Sequence, residues 1–358
     1  MTKHGKIKVG IWGLGRAGYG MHIGEIGRYP DEFEIVAGCD SLPERCETFA
    51  CKIPGARTYT DGERFLRDPE MELVAVAVRS PDHVECDIRA LEAGYFVFAE
   101  KPVALTVAGG ERLRQAAERH PGKLFLRHNR RFEAAFAHIR EIIASGILGE
   151  VYEIKLCRHD FQIRDDWQAI VRCGGGQLNN WGPHIIDHAL RLLDSPVESV
   201  WSDLKRIAAR GDAEDHLKVV LRGRNRRIVD LEISGGVAIP GPVYTVYGTR
   251  GTLVCADEQD IRLRYLHPDC AEPTHAADPG TPPLNGGFGG RTPLRWIRKT
   301  IMVEPASGHN FYSIYHELYR AIREGVPFPI TVEQALEVVR VTNEIKRQNP
   351  EFPLCPDN

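Results

Sequence analysis

The stretch "CGGGQLNNWGPHIIDHAL", residues 173–190, carries residue types that move protons, at the spacing of a helix start. Pro183 suits the first helical position, and Asn180 or Gly182 would be the cap. His184 then lies in the first turn, where the helix dipole keeps an imidazole neutral and fit to act as a general base. Asp187 and Asn180 fall on roughly the same helix face as the histidine. We therefore expect His184 to be an acid–base residue, assisted by Asn180 and Asp187.

A lysine follows an apolar strand in "YFVFAEKPVALT", residues 95–106. Ligands of open parallel sheets bind at the carboxyl edge, which is where Glu100 and Lys101 would lie. Pro102 restricts the backbone of Lys101 to extended geometry and so directs its side chain. An ammonium at this place can stabilise the alkoxide that forms as a hydride leaves the substrate carbon. A lysine after a strand is more often a solvated loop residue, but the glycine loop upstream favours the catalytic role.

That glycine loop is "VGIWGLGRAGYG", a G-x-G-x-x-G pattern between a predicted strand and a predicted helix. Such loops cradle the diphosphate of a dinucleotide. Asp40 ends the second predicted strand, where its carboxylate would bind the ribose hydroxyls of NAD and repel the 2′-phosphate of NADP. NADP remains an alternative because a serine and an arginine lie close by. The residues predicted to contact the cofactor are Gly13, Leu14, Gly15, Arg16, Ala17, Gly18, Asp40, Ser41, Arg45, Arg79, Ser80, His83, Glu100 and Lys101.

A second polar stretch, "CRHDFQIRDDWQ", interleaves charged side chains with an aromatic ring. This mixture suits a sugar, which needs hydrogen bonds at its rim and a flat apolar face beneath it. A solvated strand edge would have the same composition. The segment "HNRRF" leaves the last strand of the first sheet and would also line the cleft. The residues predicted to contact the substrate are Lys101, Asn129, Arg131, Arg158, Asp160, Arg164, Trp167, Asn180 and His184.

Two other interpretations of the histidine stretch are weaker. His184 and His188 have the i, i+4 spacing of zinc ligands, but H-E-x-x-H is absent and no motif supplies a third ligand, so no metal is predicted. The glycine triplet follows no clear strand and has no P-loop lysine. A purely structural role, in which His184 only satisfies a helix cap, stays open.

The elements that must position these residues change in kind near residue 128. Short apolar strands alternate with helices before it, which is typical of a parallel sheet covered on both faces. Longer β-type runs follow, and two amphipathic helices end the chain. The prediction is an α/β fold with a Rossmann domain (1–128) and an α/β domain with a large, mainly antiparallel open sheet (129–358). The last helices of the second domain could pack back onto the first domain. Residues 267–308, rich in proline and glycine, are expected to form an irregular loop.

Composition narrows the class of protein. A chain of 358 residues is longer than one core usually grows, so two domains are expected. The net charge of -3 gives no global attraction to nucleic acid or to a membrane surface. No segment approaches the roughly 20 apolar residues of a membrane span, and the first residues lack a secretion signal. The nine cysteines form no CxxC pair, which favours reduced thiols and a cytoplasmic location.

Taken together, "GIWGLGRAG", "AEKPVALT" and "GGGQLNNWGPHIIDHAL" resemble the glucose-fructose oxidoreductase/inositol dehydrogenase/MocA family, with support from "HNRRF" and "GILGEV". The resemblance covers nearly the whole chain. It implies that Lys101 lies beside the nicotinamide and that His184 moves the hydroxyl proton. It also implies a homo-oligomer, dimer or tetramer, built on the second sheet. The family pattern D-x-G-x-H-x-x-D matches here except at Asn180, which stands in place of the aspartate.

The function predicted on these grounds is NAD(P)-dependent hydride transfer at a secondary hydroxyl of a sugar, glycoside or cyclitol. Two alternatives stay open. Tightly held NAD could oxidise a sugar carbon transiently, allowing elimination or glycosidic cleavage without net redox change. The chain could also be a sensor that binds nucleotide and sugar without chemistry.

Overall fold

The computed structural model describes residues 5–270 and 294–358. Its first sheet has six parallel strands in the order β3-β2-β1-β4-β5-β6, the strand order of a Rossmann fold. The strands are β1 Ile7–Trp12, β2 Phe33–Cys39, β3 Arg57–Tyr59, β4 Leu73–Val76, β5 Phe96–Ala99 and β6 Leu124–Leu126. The predicted strands are confirmed, and only β3 was missed because its three residues carry no apolar run.

Short helices connect these strands. They are α1 Ile23–Ile26, preceded by a π-helical turn Gly18–His22, α2 Pro43–Lys52, α3 Gly62–Phe65, α4 His83–Glu92 and α5 Val107–Arg119. Thr106 caps α5, since its hydroxyl accepts from the backbone N–H of Gly109 at 2.9 Å.

The second sheet has eight strands in the order β14-β13-β12-β11-β7-β10-β9-β8. Every neighbouring pair is antiparallel except β7 with β10, as predicted for a mainly antiparallel sheet. The strands are β7 Val151–His159, β8 Val197–Lys205, β9 His216–Gly223, β10 Ile228–Ser234, β11 Tyr244–Gly248, β12 Gly251–Cys255, β13 Asp260–Leu266 and β14 Trp296–Met302. The helices of this half are α6 Ala134–Ala144, α7 Gln177–Asn180, α8 Gly182–Leu193, α9 Ser313–Glu324 and α10 Val332–Gln348.

Strand β14 corrects the prediction of an irregular loop over 267–308. It pairs with β13 in antiparallel register along its whole length. Within this strand Ile297 and Ile301 are the two residues that are partly buried, and their spacing puts them on the same face, a strand pattern that the neighbouring prolines and glycines concealed. The richest part of that segment, 271–293, lies outside the described residues.

The structure has two hydrophobic cores, one in each half of the chain. We call the boundary between the two halves, where Lys101 contacts Asn180, the cleft. The first contains the Rossmann strands and also Ile314, Tyr315 and Leu318 of α9, so a late helix packs against the first sheet. Helix α10 contributes to both cores, with Val339 in the first and Ile345 in the second. The boundary near residue 128 stays a prediction. Within the described parts of the chain no helix is long and apolar enough to cross a membrane.

Candidate active site

The three glycines of the loop after β1 have different surroundings. Gly13 has φ +98, and a side-chain carbon there would lie 2.5 Å from the backbone oxygen of Ala77. A side chain at Gly18 would overlap the backbone oxygen of Gly13. Around Gly15 the nearest atom is a guanidinium nitrogen of Arg45 at 3.6 Å, so the loop is open on that side. The loop thus has the tight turn, the close packing and the accessible backbone that fit a dinucleotide diphosphate.

Asp40 lies at the end of β2 and is 7% exposed. One of its carboxylate oxygens accepts from the backbone N–H of Leu14 at 2.8 Å and from Arg45 at 3.2 Å. The other accepts from the backbone N–H of Leu42 at 3.0 Å. The carboxylate therefore ties the glycine loop to the turn after β2, where Ser41 and Arg45 are exposed. This places the residues predicted for ribose recognition beside the loop predicted for the diphosphate.

The turn after β4 contains three of the residues predicted to contact the cofactor. Arg79 is exposed and Ser80 is buried at the start of a short 3-10 turn. His83 differs from its predicted role, because both of its ring nitrogens face backbone oxygens, that of Pro102 at 2.7 Å and that of Val78 at 3.1 Å. Its position at the buried start of α4 makes it a link between this turn and the lysine segment.

Lys101 reaches from the first sheet to the histidine segment. Its Nζ donates to the backbone oxygen of Asn180 at 2.9 Å. Burial, together with the positive charges of Arg127 and Arg130, lowers the pKa of this lysine to about 8, although Glu100 opposes the shift. The ammonium therefore loses its proton within about a unit of neutral pH, which is the range useful to a group that stabilises an alkoxide.

His184 is buried, and its Nδ1 has no hydrogen-bond partner within the described chain. Burial holds the pKa of His184 well below its usual value, and the positive charges of Lys101 and Arg130 add to the effect. The imidazole is therefore neutral at pH 7. This agrees with the sequence prediction, although burial rather than the helix dipole is the main cause.

The predicted cap of the histidine helix was wrong. Helix α8 follows α7 almost directly, with Trp181 in helical geometry between them and no side-chain cap. Trp181 supplies the backbone oxygen instead, since it accepts from the N–H of His184 at 3.1 Å. Asn180 ends α7 and helps to line a small cavity with Gln177 and Arg164.

Asp187 does not orient the His184 ring. Both of its oxygens accept from Arg131, the Nε and Nη2 atoms each at 2.6 Å. This ion pair is almost fully buried and fixes α8 to the segment after β6. Arg131 and Asp187, predicted to bind substrate and to assist catalysis, therefore bind each other.

The zinc interpretation does not fit the surroundings of His188. Its ring stacks on Phe136 with centres 3.8 Å apart, and its Nε2 lies 2.8 Å from the backbone oxygen of Arg130. Its Nδ1 faces the Tyr244 hydroxyl at 3.2 Å. Burial lowers the pKa of His188 to about 3. Among the described residues no group of three or more His, Cys, Asp or Glu side chains could hold a metal ion.

The residues predicted to contact a sugar are spread over the side of the cleft that the second half of the chain forms. The Arg79 guanidinium lies 6.0 Å from the centre of the Trp167 ring, which brings the two sheets' loops together. Arg164 is held by Asp166 at 2.8 Å, and Asp160 is exposed. Arg158 forms ion pairs with Glu133 at 3.1 Å and Glu258 at 2.8 Å, and its charge is thereby largely satisfied.

Sequence reasoning missed His128. Both of its ring nitrogens are buried and have no partner in the part of the chain that the structure describes, and the same holds for the side-chain oxygen of the neighbouring Asn129. Burial lowers the pKa of His128 to about 4, and the charges that act on it include Asp187 and Lys101. The available signal was its place in "HNRRF", of which only Asn129 and Arg131 were predicted to contact the substrate.

Known proteins resemble this chain in sequence and fold. Residues 7–128 match "Oxidoreductase family, NAD-binding Rossmann fold" and residues 136–254 match "GFO/IDH/MocA C-terminal domain". The chain is 28% identical over 342 residues to the scyllo-inositol 2-dehydrogenase (NADP(+)) IolW of Bacillus subtilis, covering 94% of this chain and 91% of that protein. It is 27% identical over 269 residues to the inositol 2-dehydrogenase of Acidothermus cellulolyticus, covering 74% and 77%.

A solved NAD-binding protein of Listeria innocua superimposes with a TM-score of 0.81 at 24% identity, over 96% of this chain and 97% of that one. This likeness shows the fold. The two family models, one matched by each half of the chain, show the family as well. The chain therefore belongs to the GFO/IDH/MocA family of oxidoreductases and carries that family's NAD-binding Rossmann domain.

Proposed function

We propose that this protein transfers hydride between a nicotinamide dinucleotide and a secondary hydroxyl of a cyclitol, sugar or glycoside. The observation that carries the proposal is the contact of Lys101 with the backbone of Asn180 at 2.9 Å. It joins a cation at the carboxyl edge of the Rossmann sheet to the segment that bears His184. A hydroxyl carbon bound there would lie between the predicted nicotinamide position and a neutral base.

The glycine loop and Asp40 are the residues that would hold the dinucleotide. Gly15 leaves room for the diphosphate, and exposed Arg16 offers it a positive charge. Asp40 favours NAD, whereas Arg45, paired with it at 3.2 Å, could turn outward toward a 2′-phosphate. When bound, the nicotinamide supplies the hydride acceptor or donor.

Lys101 and His184 divide the proton and charge chemistry in this proposal. Lys101 donates a hydrogen bond to the substrate oxygen and stabilises the negative charge that develops there. His184 takes the hydroxyl proton during oxidation and returns it during reduction. Since Nδ1 of His184 is enclosed without a partner, Nε2 is the nitrogen assigned to the substrate. Asn180 adds no charge at the position where the family has an aspartate.

The substrate class rests on two kinds of support. The relatives named above act on inositols by their names, and both cover most of this chain. The second support is the Trp167 ring, whose centre lies 6.0 Å from the Arg79 guanidinium. A polyhydroxylated ring can stack on such an aromatic face.

A panel of inositols, sugars and glycosides tests the proposal with NAD and NADP. NADH or NADPH absorbance reports net redox, and chromatography reports the organic product. We expect at least one polyol to be oxidised, with kcat reduced about 10²–10³-fold in Lys101→Met. Calorimetry that detects no binding of NAD and no binding of NADP would refute the proposal.

The same panel separates the two alternatives. Product without net NADH, from protein that purifies with bound NAD, would identify transient oxidation followed by elimination or glycosidic cleavage. Binding of nucleotide and sugar without any product, in both wild type and Lys101→Met, would identify a sensor.

A further inference from the structure

Behind Lys101, buried charges of alternating sign run inward through the Rossmann domain. Arg127 binds Glu25 through Nη2, at 2.6 and 2.7 Å to the two carboxylate oxygens. Its Nη1 binds Glu100 at 2.6 Å. The other oxygen of Glu100 accepts from the backbone N–H of Lys101 at 3.0 Å. The order is therefore Glu25, Arg127, Glu100, Lys101, and we call these four residues the charge line.

The charge line is enclosed at its inner end. The side chains of Arg127, Glu25 and Glu100 are 1%, 5% and 4% exposed. Of the four members, only Lys101 reaches the cleft. Glu25 stands three residues after His22 at the end of the π-helical turn, so both side chains point into the same core.

Two further groups complete the surroundings of Glu100. Although burial opposes ionisation, Arg127, His22 and Lys101 hold the pKa of Glu100 below its usual range, so it accepts hydrogen bonds only. Nε2 of His22, 3.1 Å away, therefore donates to Glu100. Nδ1 of His22 faces the hydroxyl of Tyr315, which α9 brings to this core.

This set of buried charges would be energetically unfavourable if its only role were to stabilise the fold. Burying ions loses hydration, and well-packed apolar residues of the same volume stabilise a core equally well or better. The line also touches no part of the cleft except through Lys101. Its members act on that lysine in opposite senses, because Glu100 favours the ammonium and Arg127 disfavours it.

We propose that Glu25 and Arg127 are positioning residues for Lys101, which hold Glu100 against the lysine and set the balance of charge that its ammonium faces. The catalytic meaning of this inference rests on the proposed function. The electrostatic coupling between two interior residues and one lysine does not depend on that function.

Other charged or titratable groups also face the line and must stay constant in a test. They come from the glycine loop, from the segment after β6, from α8 and from α4. These groups are Arg16, Arg130, His128, His184 and, beside Glu100, Asp87. None of them is altered in the variants below, so a shift reports the charge line itself.

Chemical labelling of Lys101 measures the coupling without substrate or cofactor. The full-length protein is acetylated at a series of pH values with a trace of acetic anhydride, and mass spectrometry follows the peptide that contains Lys101. The midpoint of the rate against pH reports the ammonium's loss of its proton. Glu25→Gln removes a negative charge and lowers the midpoint by about 0.5–1 unit, whereas Arg127→Met removes a positive charge and raises it similarly.

Two further variants keep the test decisive. Asp68→Asn neutralises another buried carboxylate paired with an arginine, Arg57, at the far edge of the same sheet, and should leave the midpoint unchanged. The double variant Glu25→Gln/Arg127→Met restores the balance of charge, so its midpoint should lie between those of the single variants. If Arg127→Met fails to fold, Glu25→Gln and the double variant decide. Equal midpoints in wild type and Glu25→Gln, or shifts of the two single variants in the same direction, would overturn the inference.

The outcome for the proposed function is read separately. Once a substrate is known, the alkaline limb of kcat against pH should move with the labelling midpoint in each variant. A labelling shift in a protein that oxidises no polyol would refute the function and keep the coupling. Polyol oxidation by variants whose labelling midpoint does not shift would refute only the coupling.

Discussion

At the scale of single residues, the site pairs a cation close to losing its proton with a base that is already neutral. The pKa of Lys101 is lowered to about 8 and that of His184 lies well below its usual value, in both cases chiefly through burial. Sequence could predict both residues and the neutral imidazole from their places after a strand and in a helix start. It could not predict the partner of Asp187 or the unpaired ring of His128, because these depend on contacts between distant segments.

In the proposed mechanism, the neutral amide of Asn180 adds no charge that would raise the pKa of His184. Asn180→Asp would place a negative charge near the ring, so we expect the pKa of His184 to rise by roughly one unit. The acid limb of kcat against pH should move to higher pH by the same amount. Asn179→Asp, on the adjacent residue of α7, is the matched control. An acid limb that stays in place in Asn180→Asp would contradict the assignment of His184 as the base.

Asp40 determines the choice of cofactor in this account. Asp40→Ser removes the charge that repels a 2′-phosphate and frees Arg45, so kcat/KM for NADP relative to NAD should rise about tenfold. Steady-state kinetics with both cofactors measure the ratio. Asp61→Asn, which removes the carboxylate that caps α3 in the same domain, should leave it unchanged. A ratio that is equal in Asp40→Ser and wild type would show that the ribose lies elsewhere.

At the scale of elements, the periodic segments were predictable and their ends were not. The strands that matter for the site, β1, β2 and β5, matched their apolar runs. Helix α8 was predicted, but its cap was wrong because α7 continues into it through Trp181. Strand β14 was concealed by its neighbours' composition. Local pattern predicts an element's type, whereas its boundary depends on what precedes it in space.

The Arg131 and Asp187 pair should be the main anchor of α8. Arg131→Met leaves a buried carboxylate without its partner, which costs about 3–5 kcal/mol of the free energy of unfolding. Urea denaturation followed by circular dichroism measures this loss. Arg114→Met removes two exposed ion pairs on α5, with Glu111 and Glu118, and should cost no more than about 1 kcal/mol. Equal losses in the two variants would show that the pair does not fix the helix.

At the scale of the whole molecule, the cleft is framed by two cores that share the last helix. Because α9 packs on the first sheet and α10 contributes to both cores, the chain's final segments connect the halves that carry Lys101 and His184. The sequence predicted that these helices are amphipathic. It could not predict that Tyr315 would meet His22 in the Rossmann core.

Asp87 should give the fold a pH dependence of its own. It is fully buried and has no hydrogen-bond partner among residues 5–270 and 294–358, and burial raises its pKa well above the usual value. A carboxyl group whose pKa is raised by folding stabilises the protein below its unfolded pKa, and this contribution is lost as pH rises through the folded pKa. The free energy of unfolding of Asp87→Asn, relative to wild type, should therefore increase between pH 4 and pH 8. A difference that does not vary with pH would contradict this environment.

The most direct test of the central claim is hydride transfer itself. Wild type, Lys101→Met and His184→Gln are assayed with NAD and NADP against inositols and sugars by absorbance of the reduced cofactor. The account predicts that wild type reduces at least one cofactor with a polyol, and that each variant loses about 10²-fold or more in kcat while still binding the cofactor. Wild-type turnover that survives unchanged in both variants, or a wild type that binds neither cofactor, would contradict it.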